Sequence, residues 1–195
     1  MATGTQAGFA EFAPPVPTDR LFFALFPDDA AAARIAALAE AKCREHGVRG
    51  KPLRSDRLHV TLFHLGDRVG LPEDVVAAAG RAAGAMHGSS FDIAFDTVAS
   101  FAAHRVQKPF VLKASTGNEA LRAFHARLKD ALRRAGLGEH ARGSFEPHVT
   151  LAYDPQLVPA QAVETIAWRA HELVLVHSLL GQTRHVRLAS WRLAE

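Results

Sequence analysis

Short apolar runs alternate with stretches of helical period along the chain. Arg20 to Phe26 (RLFFALF) is a Phe-rich apolar run closed by Pro27, the pattern of a buried strand. The Ala-rich stretch that follows has Asp28 or Asp29 placed to cap it and predicts a helix to about His46, stopped by Gly47. Leu58 to Phe63 is β-branched and apolar and predicts a strand that ends at Gly66-Asp67. A second helix is expected from Pro72 or Glu73 to Met86. Phe91–Ser100 and Pro109–Ala114 are expected strands, joined by a polar loop that holds His104, Arg105 and Lys108. Over 118–135, Leu121, Phe124, Leu128 and Leu132 recur at helical spacing, and Gly136 ends the pattern. Phe145–Tyr153 reads as a strand, 160–168 as a short helix, and Glu172–Leu180 and Arg184–Leu193 as a hairpin around Gly181-Gln182-Thr183. Residues 1–18 are Pro-rich and aperiodic, an expected flexible tail, which leaves 19–195 as one bilobal domain. No parallel strand–helix–strand repetition is sustained. The expected class is therefore α+β with largely antiparallel sheets.

One motif occurs twice. His-Val-Thr-Leu stands at 59–62 and again at 148–151, nearly half a chain apart and each time inside an expected strand. Strand side chains alternate faces, so His59 and Thr61 share one face, as do His148 and Thr150. The Val and Leu between and after them point to the other face and can pack under a helix. Two lobes related by a pseudo-two-fold would bring both pairs to one cleft. Two imidazoles flanking one phosphorus suit phosphoryl transfer without a metal: a neutral ring accepts a proton from the attacking oxygen, and a protonated ring gives one to the leaving oxygen. The threonine hydroxyls can donate to non-bridging phosphate oxygens. A single His-x-Thr says little, because half-exposed strands carry such pairs by chance. Two copies with identical flanks point to function.

By the same alternation Arg57 and Phe63 share the His59 face, Arg57 as a candidate phosphate contact and Phe63 as a candidate nucleobase platform. His64 falls on the opposite face and is expected in packing or at the surface. Composition narrows the classes. The 195 residues are 48% hydrophobic and 22% charged, which excludes wholesale disorder and a coiled coil. The single cysteine, Cys43, leaves no intrachain disulfide and no Cys-based zinc site, and fits a reducing compartment. The net charge of +3 suits an anionic ligand without requiring nucleic acid. Six basic residues against two acidic ones over 121–142 make a solvated helix face or, in the sharper reading, a track for an RNA backbone. The chain lacks a basic segment followed by an apolar one at its start, and lacks an apolar run of the roughly 20 residues a membrane span needs. A cytoplasmic monomer without a cofactor or metal is expected. Among the eleven histidines, His125, His140, His171 and His177 show no metal-ligand spacing, and no nearby carboxylate pair completes a zinc set.

The paired motifs resemble those of the 2H phosphoesterase superfamily, and within it the RNA 2′,3′-cyclic phosphodiesterase branch, also called the 2′-5′ RNA ligase family. The similarity spans residues 20–193. Arg20–Pro27 is similar to the family's first strand, Leu53–Leu62 and Phe145–Leu151 to its two signature segments, and Val176–Gly181 with Trp191–Leu193 to its closing hairpin. The resemblance implies a bilobal α+β fold with a groove between two antiparallel sheets. It implies metal-independent hydrolysis of a 2′,3′-cyclic phosphate, on RNA or a nucleotide, to a 2′-phosphomonoester, with reversible 2′-5′ ligation in some members. It also implies His59 and His148 as the proton-transfer pair, with Thr61 and Thr150 holding the phosphate. Relatives often place a basic loop beside the groove, where Arg105 stands. The chain departs from the family where many members carry Arg and it has Tyr153, a candidate substrate contact, and where an aromatic is common and it has His185. Two other readings compete. A metal-dependent phosphoesterase would draw on several of the histidines, and a non-catalytic RNA-binding module would keep the groove without turnover.

Overall fold

The computed structural model describes residues 15–102 and 106–195. Eleven regular elements follow one another: β1 (Asp19–Leu25), α1 (Asp29–Glu45), β2 (Val60–Arg68), α2 (Glu73–Gly84), β3 (Phe91–Ser100), β4 (Lys108–Lys113), α3 (Glu119–Arg134), β5 (His148–Asp154), β6 (Gln161–Ala170), β7 (Glu172–Leu179) and β8 (Arg184–Arg192). The eight strands line up as β6-β3-β4-β5-β2-β1-β7-β8, every neighbour antiparallel. The order holds two four-stranded leaves that meet at a single residue pair, Val60↔Val149. Reversing the order exchanges β2 with β5 and β1 with β4, so the two motif strands are the symmetry mates at the seam.

Local chemistry accounts for the helices. The Asp28 carboxylate accepts from the Ala31 N–H at 2.8 Å and caps α1, whose Ile35, Ala39 and Cys43 repeat at intervals of four and are buried. Leu121, Phe124, Leu128 and Leu132 give α3 its buried stripe, and Gly136 at φ +86° ends it in the left-handed conformation. Alternate residues of β1 serve two cores. Leu21, Phe23 and Leu25 join the large cluster with Ile35 and Ala39 of α1, whereas Phe22 and Ala24 join Val174 and Val176 in a small cluster that contains no helical residue. Helices therefore cover one face of this leaf, and the small cluster floors the open face.

One expectation fails on the sheet. The helix expected over 160–168 is instead strand β6, from Gln161 onwards. Val163, Ile166, Ala167 and Ala170 have the i, i+3, i+4, i+7 spacing of a helix because a register shift near the middle of the strand breaks its alternation. Beyond the shift, Ile166, Trp168 and Ala170 alternate as buried positions. The expected tail, 1–18, falls largely outside the described residues. Its last residue is tied down: the Thr18 N–H donates to the Arg68 carbonyl at 2.9 Å, and its own carbonyl accepts from Leu180 at 2.8 Å.

Candidate active site

Both motif histidines are set by the same local device. The segment before β2 makes a 3₁₀ turn, Ser55–Arg57, and His59 follows it after the capping Leu58. The ring nitrogen Nδ1 of His59 lies 2.7 Å from the Arg57 carbonyl, and that of His148 lies 2.8 Å from the Glu146 carbonyl, each two residues upstream. A carbonyl only accepts, so Nδ1 carries the proton in both rings and Nε2 is left for chemistry. Phe22 stacks on His59 at 4.9 Å, and Phe101 meets His148 edge-on at the same separation. The antiparallel register about Val60↔Val149 sets His59 across from Thr150, and Thr61 across from His148. All four side chains line one cavity of about 530 Å³.

The lining of that cavity combines two guanidiniums with four imidazoles. Arg20, Arg57, His64 and His185 join the two motif histidines, and no carboxylate lines it among the described residues. Asp67 stands behind the wall, where Arg20 holds it through two hydrogen bonds at 2.7 and 2.6 Å and His64 meets it at 2.8 Å. Burial, reinforced by His185, Arg57 and His148, pushes His59 down to about 4 against the pull of the Arg57 carbonyl. Burial also lowers His148 below its ordinary value; the Glu146 carbonyl and carboxylate oppose this, and Lys113 adds to it. Both rings are thus neutral in the empty cavity at pH 7. An anionic ligand between them favours the charged form and supplies the proton affinity that one of them needs to act as an acid.

The structure brings His59, Thr61, His148, Thr150, Arg57 and Tyr153 together around this cavity. Tyr153 is about half exposed there. Arg105, with His104, lies outside the described residues. Phe63 is not in the cavity. It is 5% exposed and stacks at 4.2 Å on His125, whose other face stacks at 3.9 Å on Phe145. His64, expected on the far side, takes the place Phe63 was expected to hold. A β-bulge explains the exchange. Phe23 and Ala24 of β1 pair with Phe63 and Thr61, so Leu62 is an extra residue and the faces swap beyond it. The same bulge recurs at Leu151, where Phe110 and Val111 pair with Ala152 and Thr150. His64 and Tyr153 then occupy equivalent places on the two walls. Aligning HVTLFHL with HVTLAYD shows that equivalence in the sequence itself; a strict two-residue period hides it. Arg20 and the contact between Arg57 and His185 carry no local signal, because they join residues far apart in the chain.

Among the described residues no group of three or more His, Cys, Asp or Glu side chains is placed to hold a metal ion. Among the described residues no helix is long and apolar enough to cross a membrane. Comparison with solved structures finds the same fold in E. coli LigT in complex with 3′-AMP, at 23% identity over 92% of this chain and 100% of the other, with a TM-score of 0.68. LigT has also been crystallised with phosphate, ATP and NADP+. TT0787 of Thermus thermophilus is 27% identical over 89% of this chain and 97% of its own, with a TM-score of 0.68. Kluyveromyces marxianus Usb1 is more distant, at 14% identity and a TM-score of 0.53, with 88% and 99% covered. No match was found among curated proteins by sequence. The sequence pattern of one family matches residues 26–182, which hold both motifs and both bulges, and the chain belongs to that family, the 2′-5′ RNA ligase superfamily.

Proposed function

We propose that this chain hydrolyses a 2′,3′-cyclic phosphate, at an RNA end or on a nucleotide, to the 2′-phosphomonoester. One observation carries the reading: two imidazoles, each anchored through Nδ1 to a carbonyl two residues upstream, line a cavity walled by cations and threonine hydroxyls. The cyclic phosphate is a monoanion and fits that lining. His148 Nε2 accepts a proton from water as the new P–O bond forms. Charge grows on the non-bridging oxygens, where the Thr61 and Thr150 hydroxyls and the Arg57 guanidinium donate hydrogen bonds. The P–O3′ bond breaks, and the protonated Nε2 of His59 gives its proton to O3′. The reaction leaves His59 neutral and His148 protonated, and exchange with solvent restores the pair. With a ribose 5′-hydroxyl in place of water the same two transfers join the strands by a 2′–5′ phosphodiester, and the reverse step cleaves one.

The nucleotide and phosphate complexes of LigT support a nucleotide as the ligand class. Tyr153, opposite His64, offers a face on which a base can stack. The test is product analysis. A 2′,3′-cyclic-phosphate-ended oligonucleotide incubated with the protein in excess EDTA is expected to yield the 2′-phosphate. A 3′-phosphate product would overturn the assignment of O3′ as leaving group, and loss of turnover in EDTA would overturn metal-independent catalysis.

A further inference from the structure

Arg57 and His185 stand 128 residues apart in sequence and meet beside His59. An Arg57 Nη lies 3.2 Å from His185 Nε2. A guanidinium only donates, so His185 Nε2 must be the bare acceptor and the ring neutral, with its proton on Nδ1. Packing fixes the ring in this orientation: His185 stands edge-on to Phe22 at 5.5 Å and to His59 at 5.4 Å. Arg57 is thus held at three levels. Its backbone closes the 3₁₀ turn, its carbonyl orients His59, and its guanidinium is drawn across the cavity wall to β8. Arg57 Nε is buried and has no acceptor among the described residues. A buried donor without an acceptor is costly, and an arriving phosphate oxygen offers one after a small rotation of the guanidinium.

We infer that His185 is a positioning residue that holds the Arg57 guanidinium against the reacting phosphate, so that a third histidine serves the site without transferring a proton. This rests on the proposed function for the identity of the ligand. The charged groups around His185 agree with it. Arg57 and Asp56 face it from the turn, Arg20 from β1, and Arg187 lies further along its own strand. Burial, then Arg57 and Arg20, lower its proton affinity, and Asp56 alone opposes them. A charged His185 would turn its acceptor into a donor and repel the guanidinium. Neutrality is therefore the state in which the contact exists.

The test uses the whole chain and two readouts: kcat/KM on a 2′,3′-cyclic nucleotide, and the Kd of adenosine 2′-phosphate, which is not turned over. His185→Phe keeps the ring packing and removes the acceptor; His185→Leu repeats the test with a smaller side chain should Phe fold poorly. Both are expected to weaken Kd and kcat/KM about tenfold or more, the scale of a hydrogen bond to a charged group. His185→Gln, which can still accept, is expected to recover most of the loss. Arg57→Ala is expected to cost a similar factor, and adding His185→Phe to it nothing further. Near-parent binding in both His185→Phe and His185→Leu, or losses that multiply in the double variant, would overturn the inference while leaving the proposed function standing. Absent turnover by the parent with intact 2′-phosphate binding would reject the proposed function and leave the clamp to be judged by Kd. Absent binding and turnover in the parent would reject both.

Discussion

The alkaline side of the pH–rate profile follows from the burial of the two motif histidines. A productive free enzyme carries one proton shared between His59 and His148. In the empty cavity both rings sit below their ordinary value of 6.5, His59 at about 4. Above pH 6.5 the singly protonated form therefore thins out about tenfold for each pH unit. Below about pH 4 His59 is protonated as well, and the pair loses its base. A bell for kcat/KM is expected between these limits, with its value at pH 8 about tenfold below that at pH 7. Bound phosphate raises the proton affinity of both rings, so the alkaline limb of kcat is expected at higher pH than that of kcat/KM. Initial rates on a 2′,3′-cyclic nucleotide from pH 4 to 9 at constant ionic strength measure both limbs. The cyclic phosphodiester stays a monoanion throughout, so the profile belongs to the protein. A kcat/KM that is flat or rising from pH 7 to 9 would refute the shared-proton account.

Other outcomes follow from the packing. A Cβ on Gly50 would collide with the Tyr153 carbonyl oxygen, so Gly50→Ala is expected to cost about 1–3 kcal/mol in denaturant unfolding and to disturb the wall that carries Tyr153. Phe63→Leu is expected to lower stability by about 1 kcal/mol with KM unchanged, whereas Tyr153→Ala is expected to raise KM with stability unchanged; the reverse pattern would return Phe63 to the groove. His125, sandwiched between Phe63 and Phe145, is pushed by burial to about 4, with Lys129 adding to the shift and the Leu62 carbonyl opposing it. Its neutral form stabilises the fold fully above the unfolded value near 6.5, and that stability is lost as pH falls towards 4. Discounted for partial exposure, the loss is about 1–2 kcal/mol, and His125→Phe is expected to flatten the stability profile over that window.

What the sequence disclosed and what it hid have one physical cause. The repeated His-Val-Thr-Leu is local, and alternation holds from His59 to Thr61 and from His148 to Thr150, so the four groups could be read directly. The helices were equally legible, since Leu121, Phe124, Leu128 and Leu132 need only the 3.6-residue period. Errors begin where a strand inserts a residue. The bulge at Leu62 turned Phe63 into the core and His64 into the cavity, and the shift within β6 disguised a strand as a helix. Bulges are set by the partner strand, whose register no local pattern records. The bulge at Leu151 had the opposite consequence: Tyr153 reaches the groove, where the family comparison expected a substrate contact, although strict alternation from His148 would have turned it away. Arg57 lies in the cavity wall where alternation from His59 placed it, but its partner His185 lies on the far hairpin and only the folded sheet brings them together.

The central claim is that two imidazoles sharing one proton converge on one phosphorus and divide the proton transfers between them. Turnover of a 2′,3′-cyclic-phosphate-ended oligonucleotide by His59→Ala, His148→Ala and the double variant tests it most directly. Each single change is expected to reduce kcat by about 10²–10⁴-fold, and the double variant to be little slower than either, because half of the pair has no function alone. Near-parent turnover by either single variant, in protein that remains folded, would contradict the account.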